Sequence, residues 1–282
     1  MSQLVDGSAP SSVVGGSIDF TVYLPDGYDV PDGIRYPSLY LLHGRGDTMS
    51  GWAHEAGALD ELIASGAVPP LVVVMPDAPW SERSSFYVDS LFTGSGTGVD
   101  SGAAVETALT TELVPYIDSH YRTLDVRAAR IVGGNSMGGA GAVRYALTHQ
   151  ELFSVAIALS PAVYVPSPPS ESSTRRYGAY GVGDRLFDQG RYDALNYPAA
   201  LAALKPALPV HLFIGVGDRE SVHPMPEDAI HDLDYEAATL YNRAKRVPGL
   251  TAEFRVYGGG HDWLLWDAAF RDALTRWASL PH

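Results

Sequence analysis

A mostly parallel β-sheet with helices on both faces is the fold class this sequence predicts, and three observations predict it. Short apolar runs ending in Gly, Pro or Asp alternate with amphipathic stretches at helical spacing, the rhythm of strands joined by crossover helices. The runs are apolar almost throughout, which suggests strands buried on both faces. One run leads straight through Gly134-Asn135-Ser136-Met137-Gly138 into Ala140–His149, a helix rich in small residues, as strand, tight turn and helix follow one another in this class.

In chain order the predicted strands are Ile18–Leu24, Ser38–Leu42, Leu71–Met75, Arg130–Gly133, Ser154–Leu159, Val210–Val216 and Ala252–Tyr257. Three core-facing helical stripes lie between or after them: Val105, Leu109, Leu113, Tyr116 and Ile117; Leu233, Ala237, Leu240, Tyr241 and Ala244; and Trp266, Phe270, Leu274 and Trp277. Pro115 interrupts the first stripe and should bend or restart that helix near Glu112. Residues 1–16 read as an N-terminal extension and 17–282 as one domain. Within it, Ala162 to Pro209 is rich in Ser, Pro, Tyr, Gly and Arg, shows no clear period, and is too long for an ordinary connection. Such segments are usually lids or binding loops.

Composition removes hypotheses. The chain has 282 residues, 46% hydrophobic and 18% charged, the balance of a globular protein with one substantial core. Its net charge of −14 repels nucleic acid and anionic lipid, so neither is expected as a partner; oligomeric state is not legible. Without cysteine there is no disulfide, thiolate nucleophile or thiolate metal ligand. Met1 to Ser12 carry neither a basic nor an apolar leader segment, and no run reaches bilayer length. The default expectation is cytoplasmic, or secreted where a leader has been removed.

The Ser136 motif reads as a nucleophile elbow: flanking glycines permit a tight turn that lifts the serine oxygen clear of the sheet at a helix N-terminus. A serine hydroxyl needs a base to take its proton and an acid to orient that base. His261, in Gly258-Gly259-Gly260-His261-Asp262-Trp263, stands on a glycine-rich loop after the last strand. His211 lies in a strand, His120 and His149 on helices, and His282 at the terminus; His231 and His223 follow the acid too closely, with substrate contact open to His223. For the acid, Asp218 is the first carboxylate beyond Val210–Val216, where loops of an open α/β sheet build the site. Glu220 is its rival. The oxyanion of a tetrahedral intermediate needs backbone N–H donors. Met137 supplies one, and Arg45, after the strand that ends in His43-Gly44, supplies the other. His43 reads as structural, holding that loop. No H-E-x-x-H, zinc-type histidine pair or phosphate loop is present, so no cofactor and no metal is implied. The run Gly94-Ser95-Gly96-Thr97-Gly98 follows no strong strand and reads as a flexible loop.

Leu41-Leu42-His43-Gly44 with Trp52, Phe86-Tyr87-Val88-Asp89-Ser90, Glu112-Leu113-Val114-Pro115-Tyr116-Ile117-Asp118, the Ser136 elbow with Gly138-Gly139, and Gly260-His261-Asp262-Trp263 with Trp266 together resemble the esterase D, or putative esterase, family. That family includes feruloyl and acetylxylan esterases, S-formylglutathione hydrolases, enterochelin esterases and mycolyltransferases. The resemblance runs from about Ser17 to Trp277. It implies an α/β-hydrolase fold, a Ser136, Asp218, His261 triad and an oxyanion hole from Arg45 and Met137. The absence of cysteine and the Ser-Pro-rich insertion depart from the S-formylglutathione branch. The expected activity is a serine carboxylesterase on small acyl or aryl esters, with feruloylated or acetylated sugars among the candidates. An acyltransferase discharging the same acyl-enzyme to a sugar or lipid hydroxyl is the alternative, and a non-catalytic binding protein the third reading. Trp52, Tyr164, Tyr177, Tyr180 and Trp263 are the expected substrate contacts, and Tyr192 offers a further aromatic face.

Overall fold

The computed structural model describes residues 1–31, 33–94, 96–221 and 225–280. In chain order the strands are β1 (Gln3–Ser11), β2 (Gly16–Leu24), β3 (Ser38–Leu42), β4 (Val72–Pro76), β5 (Leu91–Phe92), β6 (Arg130–Asn135), β7 (Val155–Leu159), β8 (Val182–Gly183), β9 (Val210–Gly217) and β10 (Leu250–Tyr257). Eight of them form one sheet in the order β1-β2-β4-β3-β6-β7-β9-β10, while β5 and β8 make a separate two-stranded pair. From β4 to β10 every pairing in the large sheet is parallel. The β1/β2 hairpin adds an antiparallel edge.

Alternation along each strand divides the core in two. Tyr40 and Leu42 of β3 and Val72 and Val74 of β4 pack on one face with Val105, Leu109, Leu113 and Ile117, with Ala142 and Val143, and with Leu233, Ala237, Leu240 and Ala244. Leu39, Leu41, Val73 and Met75 pack on the other face with Leu59 and with Trp266, Phe270, Leu274 and Trp277. Helices therefore cover both faces, as predicted, and the three stripes meet the sheet where their spacing requires.

The structure departs from the sequence reading at two places and agrees with it at a third. Residues 3–11, read as an extension, are the edge strand β1, paired from Gln3↔Leu24 to Ser11↔Gly16. Its side chains are mostly exposed, so it carries almost no apolar signal; backbone hydrogen bonds hold it, and an edge tolerates its Pro10. The Glu112 carboxylate ties down the following turn by accepting from the hydroxyls of Ser11 and Ser12 and from the Ser12 and Val13 N–H groups. Near Pro115 the helix changes its hydrogen bonding and restarts, as expected. The stretch Ala108–Leu113 widens into π-helical turns, with Val114 N–H bonded to Leu109 O, and Val114–His120 continues as α-helix; the wider turn accommodates the donor that Pro lacks. The segment 162–209 is not structureless. It contains the helices Gln189–Leu195 and Tyr197–Ala203, capped by Asp188 and Asn196, each too short to show a period.

Candidate active site

Because β6, β9 and β10 run parallel, their C-terminal ends bring distant residues to one edge of the sheet. Ser136 follows β6 directly with φ +55° and ψ −117°, a strained conformation that ordinary residues avoid. Glycine is required on either side. A Cβ on Gly134 would lie 2.4 Å from Leu42 O, and one on Gly138 only 2.0 Å from the same oxygen, because the helix Met137–Thr148 starts against the end of β3.

Above the elbow, His261 Nε2 is 2.9 Å from Ser136 Oγ. Its Nδ1 is 2.7 Å from Glu220 Oε2. Glu220 thus occupies the place expected for Asp218, and that assignment is corrected. The strand β9 ends at Gly217 and the chain turns at 218–219, so Asp218 points to the neighbouring loop, where Oδ1 accepts from Gly259 N–H (3.0 Å) and faces Arg219 at 3.4 Å. The Asp218 side chain is 50% exposed, whereas that of Glu220 is fully buried. The turn folds Glu220 back beneath the imidazole.

Sequence reasoning missed the groups that hold this carboxylate. Glu220 Oε1 accepts from Gly217 N–H (3.0 Å) and from the Ser160 hydroxyl, which in turn accepts from the Trp266 indole N–H at 2.9 Å. Ser160 is buried, directly follows β7, and adopts φ +43°. Trp266 also meets the His261 ring edge-on at 4.9 Å. The available signal was position alone: Ser160, like Ser136 and Gly217, sits at the C-terminal end of a central parallel strand.

The expected oxyanion donors lie at the site. Arg45 and Met137 line a cleft of about 340 Å³ together with Ser136 and His261. Met137 opens its helix, where N–H groups have no intrahelical acceptor. His43 is buried in the adjoining loop, its Nε2 accepting from Ala78 N–H (3.0 Å) and its Nδ1 facing Gly44 O (2.8 Å). These bonds define a neutral tautomer, and burial lowers its pKa despite the bond to Gly44.

The expected substrate contacts divide. Tyr164 and Tyr177 line the 340 Å³ cleft with Phe86, Ser172 and Arg176. Trp263 lines a second opening of about 420 Å³ with Arg45, Asp47, Ser136 and His261. Trp52 and Tyr180 line neither. Trp52 is 2% exposed, donates its indole N–H to Leu42 O and packs on Phe270; Tyr180 is buried between Phe86 and Tyr192. Tyr192 is itself buried, its hydroxyl donating to Tyr164 O. Both corrected residues are large aromatics whose apolar area is worth more in packing than at a surface. His223 lies outside the described residues.

The profile of the putative esterase family matches residues 11–277. The chain belongs to this family. Among its relatives, it is 32% identical over 175 residues to an endo-1,4-β-xylanase/feruloyl esterase of Xylanibacter ruminicola, covering 60% of this chain and 23% of that protein. It is 28% identical over 256 residues to the diacylglycerol acyltransferase/mycolyltransferase Ag85B of Mycobacterium intracellulare, covering 82% and 72%. Among solved structures, a ferulic acid esterase superposes with a TM-score of 0.77 at 26% identity over 99% of this chain and 98% of its own. The chain spans about a quarter of the length of the xylanase/feruloyl esterase. Among the described residues, no helix is long and apolar enough to cross a membrane.

Proposed function

We propose that this chain is a serine carboxylesterase in which Ser136 is the nucleophile, His261 the general base and Glu220 the acid that orients it. The observation that carries the reading is the unbroken relay from Ser136 Oγ through both imidazole nitrogens to Glu220. Ser136 Oγ attacks the ester carbonyl while His261 Nε2 takes its proton. The carbonyl oxygen becomes an oxyanion facing the N–H groups of Met137 and Arg45. Glu220 stabilises the imidazolium, which then gives its proton to the departing alkoxide. Water repeats the sequence on the acyl-enzyme and frees the acid.

Small acyl or aryl esters, feruloyl and acetyl esters of sugars among them, suit the site. The cleft volume falls in the usual range for small-ligand sites, its walls combine Phe86, Tyr164 and Tyr177 with polar Ser172 and Arg176, and the similar structure is a ferulic acid esterase. The segment 162–209 supplies most of that wall and so selects the substrate. The test is fluorophosphonate labelling with hydrolysis of methyl ferulate and p-nitrophenyl acetate: Ser136→Ala should abolish both, and labelling that persists in the folded variant overturns the reading.

Similarity to the mycolyltransferase along most of the chain favours acyl transfer as the second reading. The two differ only in whether water or a bound alcohol discharges the acyl-enzyme. Product partition with an added sugar acceptor separates them.

A further inference from the structure

We propose that His54, Glu55 and Asp267 form a binding site for a divalent transition-metal ion, with Zn²⁺ the ion that its one-nitrogen, two-carboxylate donor set suits. His54 packs against Trp263, and none of the three residues lines the cleft at Ser136. Each offers one ligand atom, and these atoms lie within 4.8 Å of one another.

The orientation of the imidazole is the first argument. His54 Nδ1 is 2.9 Å from Gly51 O, and a carbonyl can only accept, so Nδ1 carries the hydrogen. In the neutral ring Nε2 then presents a lone pair, and it faces Asp267 Oδ1 at 3.0 Å and Glu55 Oε1 at 3.9 Å. An imidazole whose far nitrogen donates to a backbone carbonyl is the usual arrangement of a metal-bound histidine. A cation between Nε2 and the two carboxylates would take the place of a proton shared by Nε2 and Asp267 Oδ1.

Glu55 supplies the second, independent argument. Its side chain is 3% exposed, yet Oε1 has no hydrogen-bond partner among the described residues. A buried carboxylate oxygen left unpaired is costly.

The geometry suits an ion of this size. Tetrahedral zinc with bonds of about 2.0–2.2 Å places its ligand atoms roughly 3.3–3.6 Å apart, between the two separations observed at His54 Nε2. The side chains of His54 and Asp267 are 44% and 38% exposed, which leaves the ion a path from solvent and room for a water as fourth ligand. The site joins the 3-10 turn Ala53–Glu55, just before the helix Ala56–Ala64, to the helix Trp263–Ala278. His54 also packs edge-on against Trp263 at 4.5 Å, so an ion here would brace one wall of the catalytic cleft.

The test titrates the chelator-stripped full chain with Zn²⁺ alone, reading bound ion per chain and the melting temperature. One saturable ion per chain and a rise in Tm are expected, with uptake at least tenfold weaker in Asp267→Asn and in His54→Gln. Binding retained in His261→Ala is expected and separates this site from the catalytic imidazole. Absence of saturable uptake, uptake indifferent to both Asp267→Asn and His54→Gln, or uptake lost in His261→Ala would overturn the proposal.

Discussion

Replacing Glu220 by Gln removes one charge from the relay and keeps its shape. The Oε1 position receives two donors, Gly217 N–H and the Ser160 hydroxyl, so the amide oxygen stays there and the new NH₂ faces His261 Nδ1. That nitrogen must then accept, which moves the ring proton to Nε2, where it can no longer take the proton of Ser136. The charge is lost as well. A carboxylate and an imidazolium about 4 Å apart, at an effective dielectric constant of about 20, attract by about 4 kcal/mol, or about 10³ in rate. We expect kcat for p-nitrophenyl acetate to fall by about 10³-fold in Glu220→Gln. Asp218→Asn should change it less than about fivefold, since the half-exposed side chain keeps an oxygen for Gly259 N–H. Stopped kinetics on both variants, with melting temperatures to establish folding, is the assay. Comparable losses in the two, or more than a tenth of the activity surviving in Glu220→Gln, would refute the assignment.

Three further outcomes follow from the same geometry. Gly138→Ala should yield little folded protein, because its methyl would sit 2.0 Å from Leu42 O, a backbone atom that cannot turn aside; a soluble variant with wild-type Tm contradicts the elbow packing. Ser160→Ala removes a donor from Glu220 and leaves the Trp266 N–H without its acceptor, so kcat should drop about 5–30-fold, the equivalent of roughly 1–2 kcal/mol for a buried hydrogen bond, while KM stays within twofold; a change confined to Tm would make the serine merely structural. The third outcome concerns pH. Burial disfavours charge on both His149 and Glu106, but their contact at 2.8 Å, with Arg144 bound at 2.6 Å, prevails, raising the histidine and lowering the glutamate. A raised histidine stabilises the fold fully below its unfolded value of about 6.5 and loses that contribution as pH climbs through the folded value. The advantage of wild type over His149→Gln in urea midpoint should therefore shrink between pH 6 and pH 9, and an advantage that grows with pH refutes the pairing.

How much was legible in the sequence varies with the kind of signal each element sends. Seven strands of the large sheet and the three helix stripes were readable because burial imposes a period, and a residue's own neighbours reveal it. Ser136 and His261 were readable because an elbow and a glycine-rich turn demand particular residues on either side of them. The edge strand Gln3–Ser11 was not, since its ladder uses backbone groups that every residue carries. The choice between Asp218 and Glu220 depended on which way a two-residue turn after β9 sends each side chain, and both carboxylates satisfy the same sequence pattern. Ser160 and Trp266 come within reach of Glu220 from 60 and 46 residues away along the chain, and His54 and Glu55 meet Asp267 across more than 200. Local spacing determined the elements and marked the elbow at Ser136. Only the tertiary structure decided which carboxylate meets His261 Nδ1, because the turn after β9 buries Glu220 and leaves Asp218 half exposed, and which predicted aromatics line the cleft, because Trp52 and Tyr180 pack against Phe270, Phe86 and Tyr192 instead.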